Sequence, residues 1–84
     1  MKKGTRRINL RKPEPGELSA DIVRANIRKT RKDKGLSAQK VAEKVGISRP
    51  FYTQLEGGTR RLSVDYLLAI SKGLGVDVRD LLKI

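Results

Sequence analysis

Residues Leu36–Gly58 read LSAQKVAEKVGISRPFYTQLEGG. Ser37 is placed to cap a helix with its hydroxyl. Val41, Ala42 and Val45 recur at helical spacing, and Gly46 stands where the chain must turn at positive φ. After a turn of about three residues, Ile47 supplies an apolar anchor and Ser48 a second cap. Tyr52 and Leu55 continue the inward stripe until Glu56, Gly57 and Gly58 stop the second helix. Ala42 is small where two helices must cross closely. Two short helices joined by a tight turn are the arrangement that pushes one helix into a DNA major groove; an ordinary helical hairpin in another bundle fits the same pattern.

Charge favours the nucleic-acid alternative. The chain has 20 Lys and Arg against 9 Asp and Glu, a formal charge of +11 on 84 residues, and such a field attracts polyanions whatever the fold. By segment the balance is +4 over residues 1–18, +4 over 19–35, +1 over 36–58 and +2 over 59–84. The excess therefore sits in the N-terminal part, and the helical pair is nearly neutral. That suits phosphate contacts from the surroundings and base contacts from polar side chains.

The length is that of one small domain, expected to act as a complete one-domain binder with no separate ligand-sensing unit. With no Cys and no His, thiolate chemistry, the usual zinc sites and imidazole catalysis are excluded; no metal, cofactor or small-molecule ligand is expected. The carboxylates are scattered, no nucleophile has an evident base, and no phosphate-cradling loop is present, so no enzymatic activity is expected. The longest apolar run is far short of the ~20 residues that span a bilayer, which points away from membranes and to the cytoplasm or nucleoid.

Residues 1–17, MKKGTRRINLRKPEPGE, form a basic arm that Pro13 and Pro15 keep apart from the folded part, residues 18–84. Ile8 and Leu10 alternate with polar neighbours as in a short exchanged strand, but six basic residues in the first twelve favour a flexible arm. Ser19 caps a first helix running to about Lys34, with Val23, Ile27 and Thr30 on one face and Gly35 as its stop. Ser63 caps a fourth helix carrying Val64, Leu67, Leu68 and Ile70, which Gly75 ends. Asp77 caps a fifth containing Val78, Leu81, Leu82 and Ile84. The expectation is an all-α, five-helix bundle with a basic N-terminal arm.

Leu36-Ser37, the run Val41 to Ser48, Leu55-Glu56, Gly58, Arg60-Arg61, Ser63, Leu67-Leu68, Ile70, Leu74-Gly75-Val76 and Leu81-Leu82 together resemble the helix-turn-helix domain of the Cro and phage-repressor (XRE-like) family. The similarity covers about residues 22–84. It implies a five-helix DNA-binding domain, usually a transcriptional regulator of a phage, mobile element, restriction system or toxin operon, bound as a dimer to a near-palindromic operator. An antitoxin or partner-binding protein using the same fold as an interaction module is the alternative.

The resemblance puts the recognition helix at about Ser48–Gly57, with Arg49, Pro50, Thr53 and Gln54 facing the groove. The chemistry agrees for three of them. Arg pairs with guanine O6 and N7, Gln with adenine N6 and N7, and Thr offers a hydroxyl or a methyl. Phe51 either meets a thymine methyl or sugar, or covers a core edge. Tyr52 falls at a core position with its hydroxyl reaching the rim. Ser37, Ser48, Thr59, Arg60, Arg61 and the arm residues Lys2, Lys3, Arg6 and Arg7 are the expected phosphate contacts. Related domains also pair an arginine late in the first helix with a glutamate late in the third, which here are Arg31 and Glu56.

Four departures stand out. Ala38 occupies the position where the family commonly has Gln, and Gln39 follows about 100° further round, which weakens a second-helix DNA contact. Pro50 disfavours the α conformation for Arg49, so the recognition helix is expected to start at Pro50 with Arg49 half-in, which leaves a phosphate as the alternative to a base as its target. Thr30 replaces a usual Leu, and Gly73 a usual Ala. Because one recognition helix reads few base pairs, a homodimer, completed on double-stranded DNA if need be, is expected. Its contact is assigned to Val78, Leu82 and Ile84 of the last helix, with Leu81 inward.

Overall fold

The computed structural model describes residues 11–84. The flexible arm expected ahead of Arg11, the alternative strand at Ile8–Leu10 and the phosphate contacts assigned to Lys2, Lys3, Arg6 and Arg7 lie outside the described residues. Four α-helices follow one another: α1 (Ala20–Asp33), α2 (Ala38–Val45), α3 (Arg49–Gly57) and α4 (Val64–Leu74). A serine starts each of them. Ser19, Ser37, Ser48 and Ser63 stand in extended backbone, and their hydroxyl oxygens accept from the amides of Ile22, Lys40, Phe51 and Tyr66. Each bond satisfies one of the donors that a helix start leaves without a partner.

Upstream of α1, the last part of the expected arm is folded locally. The Glu14 amide donates to Glu17 Oε1 at 2.6 Å, the Glu17 amide donates to the Glu14 carbonyl at 2.9 Å, and Arg11 pairs with both carboxylates. At the other end the expected fifth helix is a single 3-10 turn, Val78–Leu81. Asp77 holds the Arg79 amide at 2.8 Å, and the Asp80 amide reaches the Asp77 carbonyl at 2.9 Å. Asn26 Nδ2 of α1 donates to the carbonyls of Leu81, at 2.9 Å, and Lys83, at 2.7 Å. A side chain from α1 thus satisfies two carbonyls of the last segment and ties it to the domain.

The core is built from one stripe on each element. Val23 and Ile27 of α1, Val41 and Ala42 of α2, Tyr52 and Leu55 of α3, Ile70 and Leu74 of α4, and Leu81 are buried together. Ala42 is fully buried where α2 meets its neighbours. Gly73 has the same office on α4: a methyl there would lie 3.1 Å from Val45 Cγ2 and 3.5 Å from Lys44 Cβ. The glycine that looked like a helix-weakening departure lets α4 approach the end of α2. Of the three residues expected outward in the last segment, Ile84 is exposed. Val78 and Leu82 are half-buried instead, Leu82 against the edge of the core, because the tight 3-10 turn brings this segment onto the domain.

Candidate nucleic-acid interface

Two glycines aim α3. At Gly46 the chain turns with φ +88°, and its amide closes on the Ala42 carbonyl at 2.8 Å, so α2 stops sharply and Ile47 returns to the core margin. At Gly58, φ is +97°, and the amides of Gly58, Thr59 and Arg60 converge on the Gln54 carbonyl at 3.0, 3.1 and 3.3 Å. Side chains with a Cβ rarely adopt this backbone. Helix α3 is therefore bounded by fixed turns.

Arg49 lies inside α3 as its first residue, and Pro50 follows within the first turn. This corrects the expected start at Pro50. The Ser48 cap supplies the ordered start, and the amide that Pro50 lacks is one a helix leaves unpaired in its first turn anyway. Arg49, Pro50, Thr53 and Gln54 are all exposed and line one shallow, open depression. Tyr52 and Leu55 fill the opposite, fully buried face. Gln39 on α2 is exposed, and its amide donates to Glu43 Oε2 at 3.0 Å. Thr59 and Arg61 are exposed just beyond α3.

Phe51 is half-buried and packs on the ring of Tyr66, with centroids 5.2 Å apart at 55°. Its other neighbour is the guanidinium of Arg60, whose Cζ lies 4.4 Å from the ring centre. Arg60 Nε donates to Gln54 Oε1 at 3.0 Å. Tyr52 departs from expectation: its hydroxyl does not reach the rim but is buried, donating to Glu56 Oε2 at 2.5 Å.

That carboxylate is the centre of a buried polar cluster. Arg31 donates from Nε to Oε2 at 2.8 Å and from Nη2 to Oε1 at 3.0 Å, and its Nη1 reaches the Leu36 carbonyl at 3.0 Å. Burial pushes the Glu56 carboxyl up, but the hydrogen bonds from Arg31 and Tyr52 and the charges of Arg31 and Arg28 outweigh it and hold the group below its ordinary value. Burial also pushes the Tyr52 hydroxyl far above its ordinary value, and Glu56 adds to the effect.

Arg31 is one of three. Arg24, Arg28 and Arg31 recur at i, i+4 and i+7, one step round α1 from Val23, Ile27 and Thr30. Arg24 Nε donates to the Leu55 carbonyl at 3.1 Å and its Nη2 to the Arg60 carbonyl at 3.4 Å; Arg28 Nη2 donates to the Glu56 carbonyl at 3.4 Å. Helix α3 has no basic residue in its last turn. The arginine stripe of α1 supplies that positive charge from outside, to the negative end of α3 and its unpaired carbonyls. Sequence reasoning finds only Arg31. The i, i+4, i+7 spacing is the available signal, but total charge suggests phosphates as the target.

This geometry has counterparts in known proteins. The helix-turn-helix family profile matches residues 27–81. The chain belongs to the XRE-type helix-turn-helix family. Members of this family are DNA-binding regulators of transcription. One relative, the uncharacterised HTH-type transcriptional regulator YqaE of Bacillus subtilis, is 45% identical over 58 residues, which make up 69% of this chain and 50% of that protein. This chain thus spans about half the length of that relative. Among solved structures, the clp gene regulator ClgR from Corynebacterium glutamicum aligns with a TM-score of 0.71 at 30% identity, covering 75% of this chain and 82% of its own. The restriction-modification controller protein C.AhdI from Aeromonas hydrophila aligns at 0.69 with 27% identity, covering 74% and 94%. Among the described residues of this XRE-type chain, no helix is long and apolar enough to cross a membrane.

Proposed function

We infer that this XRE-type protein binds double-stranded DNA sequence-specifically and regulates transcription, as a repressor of a mobile-element, phage, restriction or toxin operon. The observation that carries this is the exposed face of α3. Arg49, Thr53 and Gln54 present two strong base-reading groups and a hydroxyl from a helix whose other face is locked into the core. The N-cap bonds of Ser37 and Ser48 use their oxygens as acceptors and leave the hydroxyl hydrogens to donate to phosphates. Thr59 and Arg61, at the end of α3, are placed for the adjacent backbone. The similarity to a restriction-modification controller supports the class of operon.

Two protomers read the two halves of a near-palindromic operator, with half-site centres about 34 Å apart. The protein works without cofactor, metal, small-molecule ligand or catalytic step, in the cytoplasm on the nucleoid. Selection from a randomised duplex library, followed by protection mapping on the DNA flanking its own gene, tests the assignment. A selected inverted repeat that is also protected upstream of that gene supports it. Equal affinity for every duplex overturns it.

A further inference from the structure

Arg60 stands just past the recognition helix, where an arginine is ordinarily assigned to a phosphate. Its side chain is not extended toward solvent. The guanidinium lies over the Phe51 ring with Cζ 4.4 Å from the centroid, and Nε donates to Gln54 Oε1 at 3.0 Å. The backbone is held too, by the Arg60 amide on the Gln54 carbonyl and by Arg24 Nη2 on the Arg60 carbonyl. Phe51 in turn rests on Tyr66 of α4. A chain of contacts therefore runs from the core through Phe51 and Arg60 to the carboxamide of the residue assigned to read a base.

We propose that Gln54, Arg60 and Phe51 form one base-reading unit, in which Phe51 is the platform for Arg60 and Arg60 is a positioning residue that sets the specificity of Gln54. The inference rests on the DNA-reading assignment above. A glutamine carboxamide that is free to rotate presents donor or acceptor to the groove with little preference, since the two ends are nearly the same size. Here Oε1 is turned to Arg60, so Nε2 takes the other side as a committed donor. The second lone pair of Oε1 stays available, as two acceptor sites allow. That pattern matches adenine, whose N7 accepts and whose N6 donates. It fits cytosine poorly, because cytosine offers only a donor in the major groove. The terminal nitrogens of Arg60 lie beside this pair and add positive charge next to an acceptor-rich purine edge. A planar guanidinium can stack and donate along a fixed direction at once; a lysine ammonium cannot.

The test uses the full chain and the best duplex from the library selection, together with its three substitutions at each base pair and one scrambled duplex. Gln54→Ala first identifies the base pair that Gln54 reads. Arg60→Ala and Arg60→Lys should then each lower discrimination at that same base pair by roughly 5- to 30-fold, a large part of what a good bidentate contact supplies. The Gln54→Ala, Arg60→Ala double variant should lose no further discrimination there. Phe51→Leu should lower it by about 2- to 5-fold, the worth of an exposed cation–π contact. A thermal melt of each variant checks folding, and the Arg60 variants are at an exposed position.

If Arg60→Ala weakens all duplexes alike and Arg60→Lys restores them, Arg60 is a phosphate clamp and the unit does not exist. Relaxation at a different base pair makes Arg60 an independent reader and overturns the inference equally. Unchanged discrimination in a folded Phe51→Leu protein removes the platform. A wild-type protein with no preferred duplex is a different failure, that of the DNA-reading assignment itself.

Discussion

Arg31 grips Glu56 with two hydrogen bonds, 2.8 and 3.0 Å long, across the junction between α1 and α3. Both side chains are close to nine-tenths buried, and Tyr52 occupies the carboxylate from a third direction. Such a pair is a weak argument for stability as long as it is intact, but breaking it strands a buried charge. Glu56→Ala should therefore destabilise the fold by about 3–5 kcal/mol. Urea denaturation checks this, and a loss below about 1 kcal/mol would mean that Arg31 finds water instead.

The same site sets an acid limit. The folded-state pKa of Glu56 is held below its unfolded value of roughly 4.3, so the carboxylate contributes stability that is full above that value and is lost as pH falls through the folded one. Stability should drop on acidification below about pH 4–5, and Glu56→Gln should flatten this part of the profile. Tyr52 has the opposite sign: its raised pKa keeps stability intact below about pH 10 and lets it fall above, where the unfolded chain ionises first. Tyr52→Phe should remove that part of the alkaline loss. Thermal melts across pH decide both, and parallel profiles for wild type and variants would show that other groups dominate.

Much of this is legible in the sequence because it is written locally. Four serines at helix starts and glycines after helix ends place α1 to α4 to within a residue or so, and alternation with helical period marks the buried stripe. What the sequence hides depends on partners distant along the chain. The last segment is fastened to the domain by Asn26, more than fifty residues away, which donates to the carbonyls of Leu81 and Lys83. Arg24 and Arg28 look like free charge because the carbonyls they serve belong to the end of α3 and the residues just past it. A rule about the residue before proline puts Arg49 outside the helix, whereas the Ser48 cap determines the start. Phe51 and Arg60 are separate in sequence and stacked in space.

Gly73 gives a steric prediction. An alanine there gains up to about 1 kcal/mol in helix propensity but sets its methyl 3.1 Å from Val45 Cγ2. Val45 is half-buried at the end of its helix and can give by a few tenths of an ångström, so Gly73→Ala should be neutral to within about 1 kcal/mol. Gly73→Leu has no such escape and should cost about 1–3 kcal/mol. Denaturant midpoints compare the two. Equal stability for alanine and leucine would mean that α2 and α4 separate freely.

The basic residues ahead of Arg11 should act on DNA and leave the core alone. Among the described residues the first to enter the core is Val23, and the turn at Glu14–Glu17 closes on itself. Deleting residues 1–10 removes Lys2, Lys3, Arg6 and Arg7. The slope of log affinity against log salt should flatten by about 0.9 for each phosphate that the arm neutralises, with the melting temperature unchanged. An unchanged slope would clear the arm of phosphate binding. A lowered melting temperature would point to a strand exchanged between subunits.

Assembly is the last test. The outward apolar groups among the described residues include Val64 and Leu68 on α4 and Ile84 near the chain end, 69%, 47% and 74% exposed. Val64 and Leu68 are four residues apart and share one face of their helix. Ile84 belongs to the segment expected to pair two protomers, whereas Leu82 packs on its own core and is a poor place for a charge. Val64→Asp with Ile84→Asp should therefore leave the fold intact and weaken self-association. On an operator with two half-sites, binding of this variant should lose cooperativity and fall toward the sum of two independent half-site events. Sedimentation and operator titration measure both. A folded double variant that binds the two-half-site operator with wild-type affinity and cooperativity would place the protomer contact elsewhere, and the segment Ile8–Leu10 would be the next to mutate.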